Sequence, residues 1–150
     1  MLSLDELRAA GFERCGTWTL EGEQIDVLGD LPRNPGVYLF VVRRKVRYVG
    51  KADGPLRKRI SRYRRTMQKG DRPRSVHEGI EAALDSGKRV HIYTFRLATR
   101  KPHYRKGLPY DLLTGLEAGL IEILNPKWNQ FNSKGRERRR MLSISPSIDG

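Results

Sequence analysis

Gly36-Val37-Tyr38-Leu39-Phe40-Val41-Val42, then Arg43-Arg44-Lys45, then Val46-Arg47-Tyr48-Val49-Gly50-Lys51 is the stretch that decides the fold. Val37 to Val42 is six continuous apolar residues, the pattern of a strand buried on both faces. The three basic residues turn the chain, and Val46 to Val49 brings it back. Two such runs so close together predict an antiparallel hairpin. Upstream, Leu31-Pro32-Arg33-Asn34-Pro35-Gly36 is a turn-rich connector that breaks regular structure. Downstream, Asp53-Gly54-Pro55 opens a helix with Leu56, Ile60, Tyr63 and Met67 as its apolar stripe.

Further out, Ser3 and Glu6 form a capping-box signal for a short first helix that Gly11 closes. Thr17 to Leu20 and Gln24 to Leu28 flank a Glu-Gly-Glu turn and suggest a second, smaller hairpin. Ser75 and Glu78 form another capping box, for a helix with Val76, Ile80, Ala83 and Leu84 on one side, stopped by Gly87. Val90 to Leu97 predicts a third main strand. A long helix is expected from Pro109 to about Leu124, ended by Asn125-Pro126. The expected fold is therefore mixed α+β, with a small three-stranded antiparallel sheet flanked by helices. Residues 1–35 are read as an N-terminal extension packed on or leading into the domain, 36–132 as the domain, and 133–150 as a basic flexible tail.

Composition narrows the function. At 150 residues, with 37% hydrophobic and 31% charged residues, the chain can bury a modest core and is too apolar to be wholly disordered. No run approaches the roughly 18 apolar residues of a membrane helix, and the start has no secretory pattern. Cys15 is the only cysteine, which excludes an internal disulfide or a multi-cysteine zinc cage. His77, His91 and His103 lack metal-ligand spacing, and there is no Walker or dinucleotide-binding glycine pattern. A soluble cytoplasmic protein with no membrane partner is expected. The net charge is +13, and residues 43–74 carry fourteen basic residues against two acidic ones. Such a concentration attracts polyphosphates, although a solvated, solubilising surface would look the same. Nucleic acid is the expected partner, with Arg57, Lys58, Arg62, Arg64 and Arg65 as candidate contacts.

Glu117 stands out on physical grounds. At about 100° per residue, Leu113, Leu116, Leu120, Ile121, Ile123 and Leu124 form one apolar arc with Glu117 inside it, while Glu122 points away. A carboxylate on a burying face costs several kcal/mol unless a cation or hydrogen bonds compensate it. A metal ion and a buried Glu–Arg pair satisfy that need equally well. Arg59 and Arg64 both flank the Leu56–Met67 stripe, and periodicity does not choose between them. Tyr38 and Tyr48 read equally as core aromatics whose hydroxyls need partners. Asn129 reads equally as a loop amide at a helix end, a role open also to Asn125 and Asn132.

The triplets Gly36-Val37-Tyr38 and Tyr48-Val49-Gly50, with Lys51 directly after, resemble the GIY-YIG nuclease superfamily, with valine where its name has isoleucine. Arg59 followed one turn later by Tyr63, then a late Glu117 and a terminal Asn129, follow the same pattern in order. Leu56-Arg57-Lys58-Arg59-Ile60-Ser61 is most similar to the nuclease module of the bacterial excision-repair incision subunit, which implies a prokaryotic or phage origin. The resemblance covers residues 36–129. It implies a metal-dependent endonuclease that hydrolyses DNA, in preference to RNA, with one Mg²⁺ or Mn²⁺ on Glu117. It further implies Tyr38 or Tyr48 as general base, directly or through Lys51, with nearby cations easing deprotonation. Arg59 and Lys51 would neutralise phosphate charge, Tyr63 would position the nucleophile, and Asn129 would brace the site. Restriction, homing, repair and phage-related nucleases all use such a module. The alternative is a non-catalytic nucleic-acid-binding module, or an adaptor in a repair or mobile-element complex.

Overall fold

The computed structural model describes residues 2–65, 73–100 and 102–132. In chain order the elements are α1 (Leu4–Ala9), β1 (Glu13–Glu21), β2 (Gln24–Gly29), β3 (Gly36–Val42) and β4 (Lys45–Ala52). Then come α2 (Leu56–Ser61) with a 3₁₀ turn over Arg62–Arg64, α3 (Pro73–Asp85) and β5 (Val90–Arg96). The chain continues through β6 (His103–Arg105), β7 (Leu108–Tyr110), α4 (Leu112–Leu124) and a 3₁₀ turn over Lys127–Asn132.

Every residue of β3 is buried, because successive side chains face two different cores. Tyr38, Phe40 and Val42 join Trp18, Ile60, Tyr63, Ile80 and Trp128 on one face, beneath α2 and α3. Val37, Leu39 and Val41 join Leu4, Leu7, Phe12, Leu113 and Leu120 on the other, beneath α1 and α4. The sheet is thus the middle of three layers. Its order is β2-β1-β5-β3-β4, and every pairing is antiparallel.

Five strands replace the expected three. The N-terminal hairpin β1–β2 does not merely lean on the sheet, because β1 pairs directly with β5 from Glu13↔Thr94 to Trp18↔Val90. A hairpin's own residues do not reveal which strand it will pair with, since that contact spans more than seventy residues. The capping box at α1 forms as expected, with Ser3 and Glu6 exchanging 3.1 Å hydrogen bonds. Helix α3 begins at Pro73, two residues before the anticipated cap. Helix α4 begins at Leu112, capped by Asp111, because Pro109 lies in β7 of a small separate hairpin, β6–β7. Ile123, placed by periodicity on the apolar arc, is 55% exposed. Met67 and the tail 133–150 lie outside the described residues. No helix among the described residues is long and apolar enough to cross a membrane.

Candidate active site

The two glycines of the paired triplets are there because nothing larger fits. A Cβ on Gly50 would stand 2.3 Å from Cζ of Tyr38, so the Tyr38 ring lies directly over the bare strand. A Cβ on Gly36 would meet the Phe95 carbonyl and the Leu56 side chain. Close approach at both points lets β4 and α2 close around Tyr38.

Helix α2 has no side-chain cap. The connector before β3 supplies the acceptors instead, with the Leu56 and Arg57 amides donating to the Asn34 and Pro32 carbonyls at 2.9 and 2.8 Å. That docking sets the rotation of α2 and brings Arg59 to the tyrosines. Gly54 sits in the open turn ahead of it, with no heavy atom within 4 Å of its would-be Cβ.

Tyr38, Tyr48 and Tyr63 form a continuous chain of phenols. The Tyr63 hydroxyl donates to that of Tyr48 at 3.2 Å and lies 2.7 Å from that of Tyr38. A phenol has one proton, so Tyr63, having given its own to Tyr48, receives one from Tyr38. The Arg59 guanidinium stands close enough to the Tyr38 hydroxyl for its charge to act on the phenol. The order of donation is Tyr38 to Tyr63 to Tyr48, and the Tyr48 proton is the one not committed within the chain. Tyr48 is also the only one of the three that lines the adjoining cleft.

That cleft has a volume of about 370 Å³ and is lined by Tyr48, Lys51, Asp53, Lys58, Arg59, Arg62 and Glu117, with the backbone of the β4–α2 turn. Lys51 donates to the Thr114 hydroxyl at 3.0 Å and stands 3.9 Å from Asp53. Asp53 is held by Arg100 at 3.0 Å, and Arg100 holds Asp111, the cap of α4, at 2.8 Å. Glu117 is half-buried on α4 and faces the same space. Arg59 Nε is buried without a hydrogen-bond partner among the described residues.

Burial pushes all three phenols well above the ordinary tyrosine pKa of 10. For Tyr48 the neighbouring Tyr63 and Glu117 add to the rise, and Arg59 opposes it. The cations were expected to ease deprotonation. They act in that direction, but desolvation outweighs them.

Asn129 lies outside the cleft. Its amide bridges both backbone groups of Val49, accepting from the N–H at 2.8 Å and donating to the C=O at 2.9 Å. Because β4 is an edge strand, the side chain acts as a short extra strand that fixes Val49 between Tyr48 and Gly50. The basic side chains of the α2 region diverge. Lys58 and Arg62 face the cleft, Arg57 lines a different groove beside Arg14 and Arg96, and Arg64 pairs with Asp26 at 3.1 Å beside Arg65.

No family model and no curated protein sequence matches this chain. Solved structures do match in shape, two of them endonucleases by name or kind. One is a mutant of bacteriophage T4 EndoII, with a TM-score of 0.65 and 21% identity over 85% of this chain and 98% of that one. The other is the restriction endonuclease HPY188I in complex with product DNA, with a TM-score of 0.51 and 15% identity over 84% and 83% of the two chains. The chain shares the fold of these two proteins. At such identities the likeness is one of architecture, and the chemistry rests on the cleft itself.

Sequence reasoning passed over several residues that shape the site. His77 Nδ1 lies 2.7 Å from the Tyr63 carbonyl, which can only accept, so the ring donates there and fixes the turn that carries Tyr63. The i,i+4 spacing of His77 and Glu81, now 3.6 Å apart, was the available signal. Asp111 followed by Thr114 was a legible cap. Arg100 gave no local signal, because both of its partners are remote in sequence or across a hairpin.

Proposed function

We propose that this protein is a GIY-YIG-type endonuclease that hydrolyses phosphodiester bonds of DNA, using one divalent metal ion, Mg²⁺ or Mn²⁺. The observation that carries this reading is the phenol chain ending at Tyr48 in a cleft that also holds Glu117, Lys51 and Arg59. A buried relay of hydroxyls leading to a basic, solvent-open cleft is not required by packing.

The donor set fits a hard cation that keeps most of its water. Two carboxylates, Asp53 and Glu117, line the cleft, and the position of Glu117 in the motif order of the GIY-YIG resemblance makes it the residue to hold the ion. When bound there, the ion would polarise the phosphate and offset charge on the leaving oxygen.

Tyr48, the member of the chain that reaches the cleft, first releases its own proton to solvent there and then, as the phenolate, takes the proton of the attacking water. Its phenolate keeps the hydrogen bond from Tyr63, and behind that the positive end of the relay at Arg59. Arg59 and Lys51 neutralise the charge that grows on the phosphate. Asn129 and His77 position the strand and the turn that carry Tyr48 and Tyr63. Lys58 and Arg62 extend the positive field along the DNA backbone.

The test is cleavage of supercoiled plasmid, single-stranded DNA and RNA with Mg²⁺, with Mn²⁺ and with EDTA, for wild type and Glu117→Ala, with binding measured in parallel. Metal-dependent cutting of plasmid by wild type, and binding without cutting by Glu117→Ala, is the expected result. Binding of all three substrates by a wild type that cuts none would make the chain a binding module and remove the nuclease reading.

A further inference from the structure

Among the described residues, strands β6 and β7 pair only with each other and stand apart from the main sheet. A free two-stranded hairpin is marginal in water, and this one leaves apolar surface uncovered, with Tyr104 67%, Leu108 70% and Tyr110 45% exposed. From 102 to 110 the sequence Pro-His-Tyr-Arg-Lys-Gly-Leu-Pro-Tyr has no acidic residue. Its register, His103↔Tyr110, Tyr104↔Pro109 and Arg105↔Leu108, leaves a two-residue turn at the tip. Lys106 and Gly107 there have φ of 52° and 80°, the left-handed pair that hairpin turns use. Asn-Gly is the favoured pair at such a turn, so lysine puts a cation on the tip at some conformational expense.

The root of the hairpin is tied to the cleft. Arg100, just ahead of β6, bonds both Asp53 on the cleft wall and Asp111, the cap that follows β7. Asp111 stands one helix segment ahead of Glu117, about 9 Å along the axis. The ribbon therefore projects from the rim of the site.

We infer that the β6–β7 hairpin is a DNA-recognition ribbon that enters the major groove of duplex substrate beside the bond held in the cleft. The inference rests on the nuclease reading for its substrate, and deepens it. The major groove admits a two-stranded ribbon, and three residues per strand reach about 10 Å, enough for a groove about 8.5 Å deep. One face carries Arg105 and Leu108 side by side, a donor for guanine or phosphate next to an apolar group suited to a thymine methyl. Tyr104 and Pro109 form the other face. Strand addition by a second copy is disfavoured, because the pair next to the turn-closing Arg105↔Leu108 points its backbone groups outward, and Pro109 there has no N–H to offer.

The experiment compares wild type with the double variant Tyr104→Ala, Leu108→Ala and with Arg105→Ala. It measures affinity for duplex and single-stranded DNA by fluorescence anisotropy in EDTA, protection of guanine N7 from methylation, oligomeric state, thermal melting, and cleavage in Mg²⁺. Because the substituted side chains lie outside both cores, melting temperatures should match wild type. Wild type should protect guanine N7 positions that both variants leave open. The variants should lose about tenfold in duplex affinity and much less in single-strand affinity.

Variants that bind, protect and cut like wild type overturn the inference and leave the nuclease reading intact. A wild type that protects the groove through the hairpin but never cuts keeps the inference and removes the nuclease reading. An oligomer that the variants dissociate, with no loss of groove protection, makes the ribbon a contact between copies and overturns the inference. A wild type that does not bind duplex at all overturns both.

Discussion

Gly50 shows how little room the site leaves at its centre. Alanine there needs the Tyr38 ring to move, and Tyr38 is fully buried between Phe40, Tyr48 and Tyr63. Overpacking of this kind costs typically about 1–3 kcal/mol. Gly50→Ala is expected to lower the melting temperature and to weaken cleavage beyond that loss, because the displaced ring takes the relay with it. A thermal melt beside a cleavage assay at a temperature where both proteins are folded separates the two effects. Tyr48 carries a second expectation. A phenol held well above pKa 10 stays protonated across the neutral range, and its phenolate fraction rises about tenfold per pH unit while pH remains below that pKa. If Tyr48 is the base, metal-loaded wild type should cleave faster with each unit from pH 7 to 9, and Tyr48→Phe should be slow and nearly flat. A Tyr48→Phe variant that keeps the wild-type slope would take the role away from this residue.

At the level of elements, the strand that carries Tyr48 is held at its outer edge by one side chain. Asn129→Ala would leave the Val49 N–H and C=O without partners in a buried setting, at about 1–3 kcal/mol for each group. The expected fall in melting temperature is about 2–4 °C per kcal/mol for a chain near this size, measurable by calorimetry or circular dichroism. Asn129→Asp, which keeps the acceptor and loses the donor, should recover only part of it. The sequence displayed Asn129 but not this function, since a side chain that completes a sheet edge eighty residues away has no local signature. The same limit explains the sheet. The β3–β4 hairpin was legible because its six apolar residues, turn and return are contiguous, and its alternation then fixed two cores. The N-terminal hairpin was legible as a hairpin, whereas its pairing with β5 was not. Pro109 misled for a related reason. Proline suits the first turn of a helix, but it also suits an edge strand, and only the β6–β7 pairing decides between them. The helical period singled out Glu117 as a half-buried carboxylate, because a helix displays its period over a single stretch, although the same arc wrongly took in Ile123.

Across the whole molecule, the charge that marks the sequence is not one patch. Residues 43–74 contribute most of the net +13, but the sheet divides them. Arg43 and Arg44 form the tight turn joining β3 to β4, both with positive φ, and Arg44 pairs with Asp5 of α1 at 2.8 Å. The cleft lies at the other end of the same two strands, where Gly50 to Asp53 meet α2. Lys58 and Arg62 therefore face the site and Arg43 does not, although the sequence counts them alike. Binding that releases counterions depends on salt in proportion to the phosphates contacted, with a slope near −0.9 per contact on duplex DNA. Replacing Lys58 and Arg62 with alanine should make the plot of log affinity against log salt shallower by up to about 1.8, if each meets a phosphate. Arg43→Ala should leave that slope within error of wild type, despite removing the same kind of charge from the same segment. The comparison needs only anisotropy titrations of a short duplex between 50 and 200 mM salt, where such slopes are well resolved. Equal effects from the two variants would mean that DNA responds to the summed field of the basic segment, not to the two cations at the cleft.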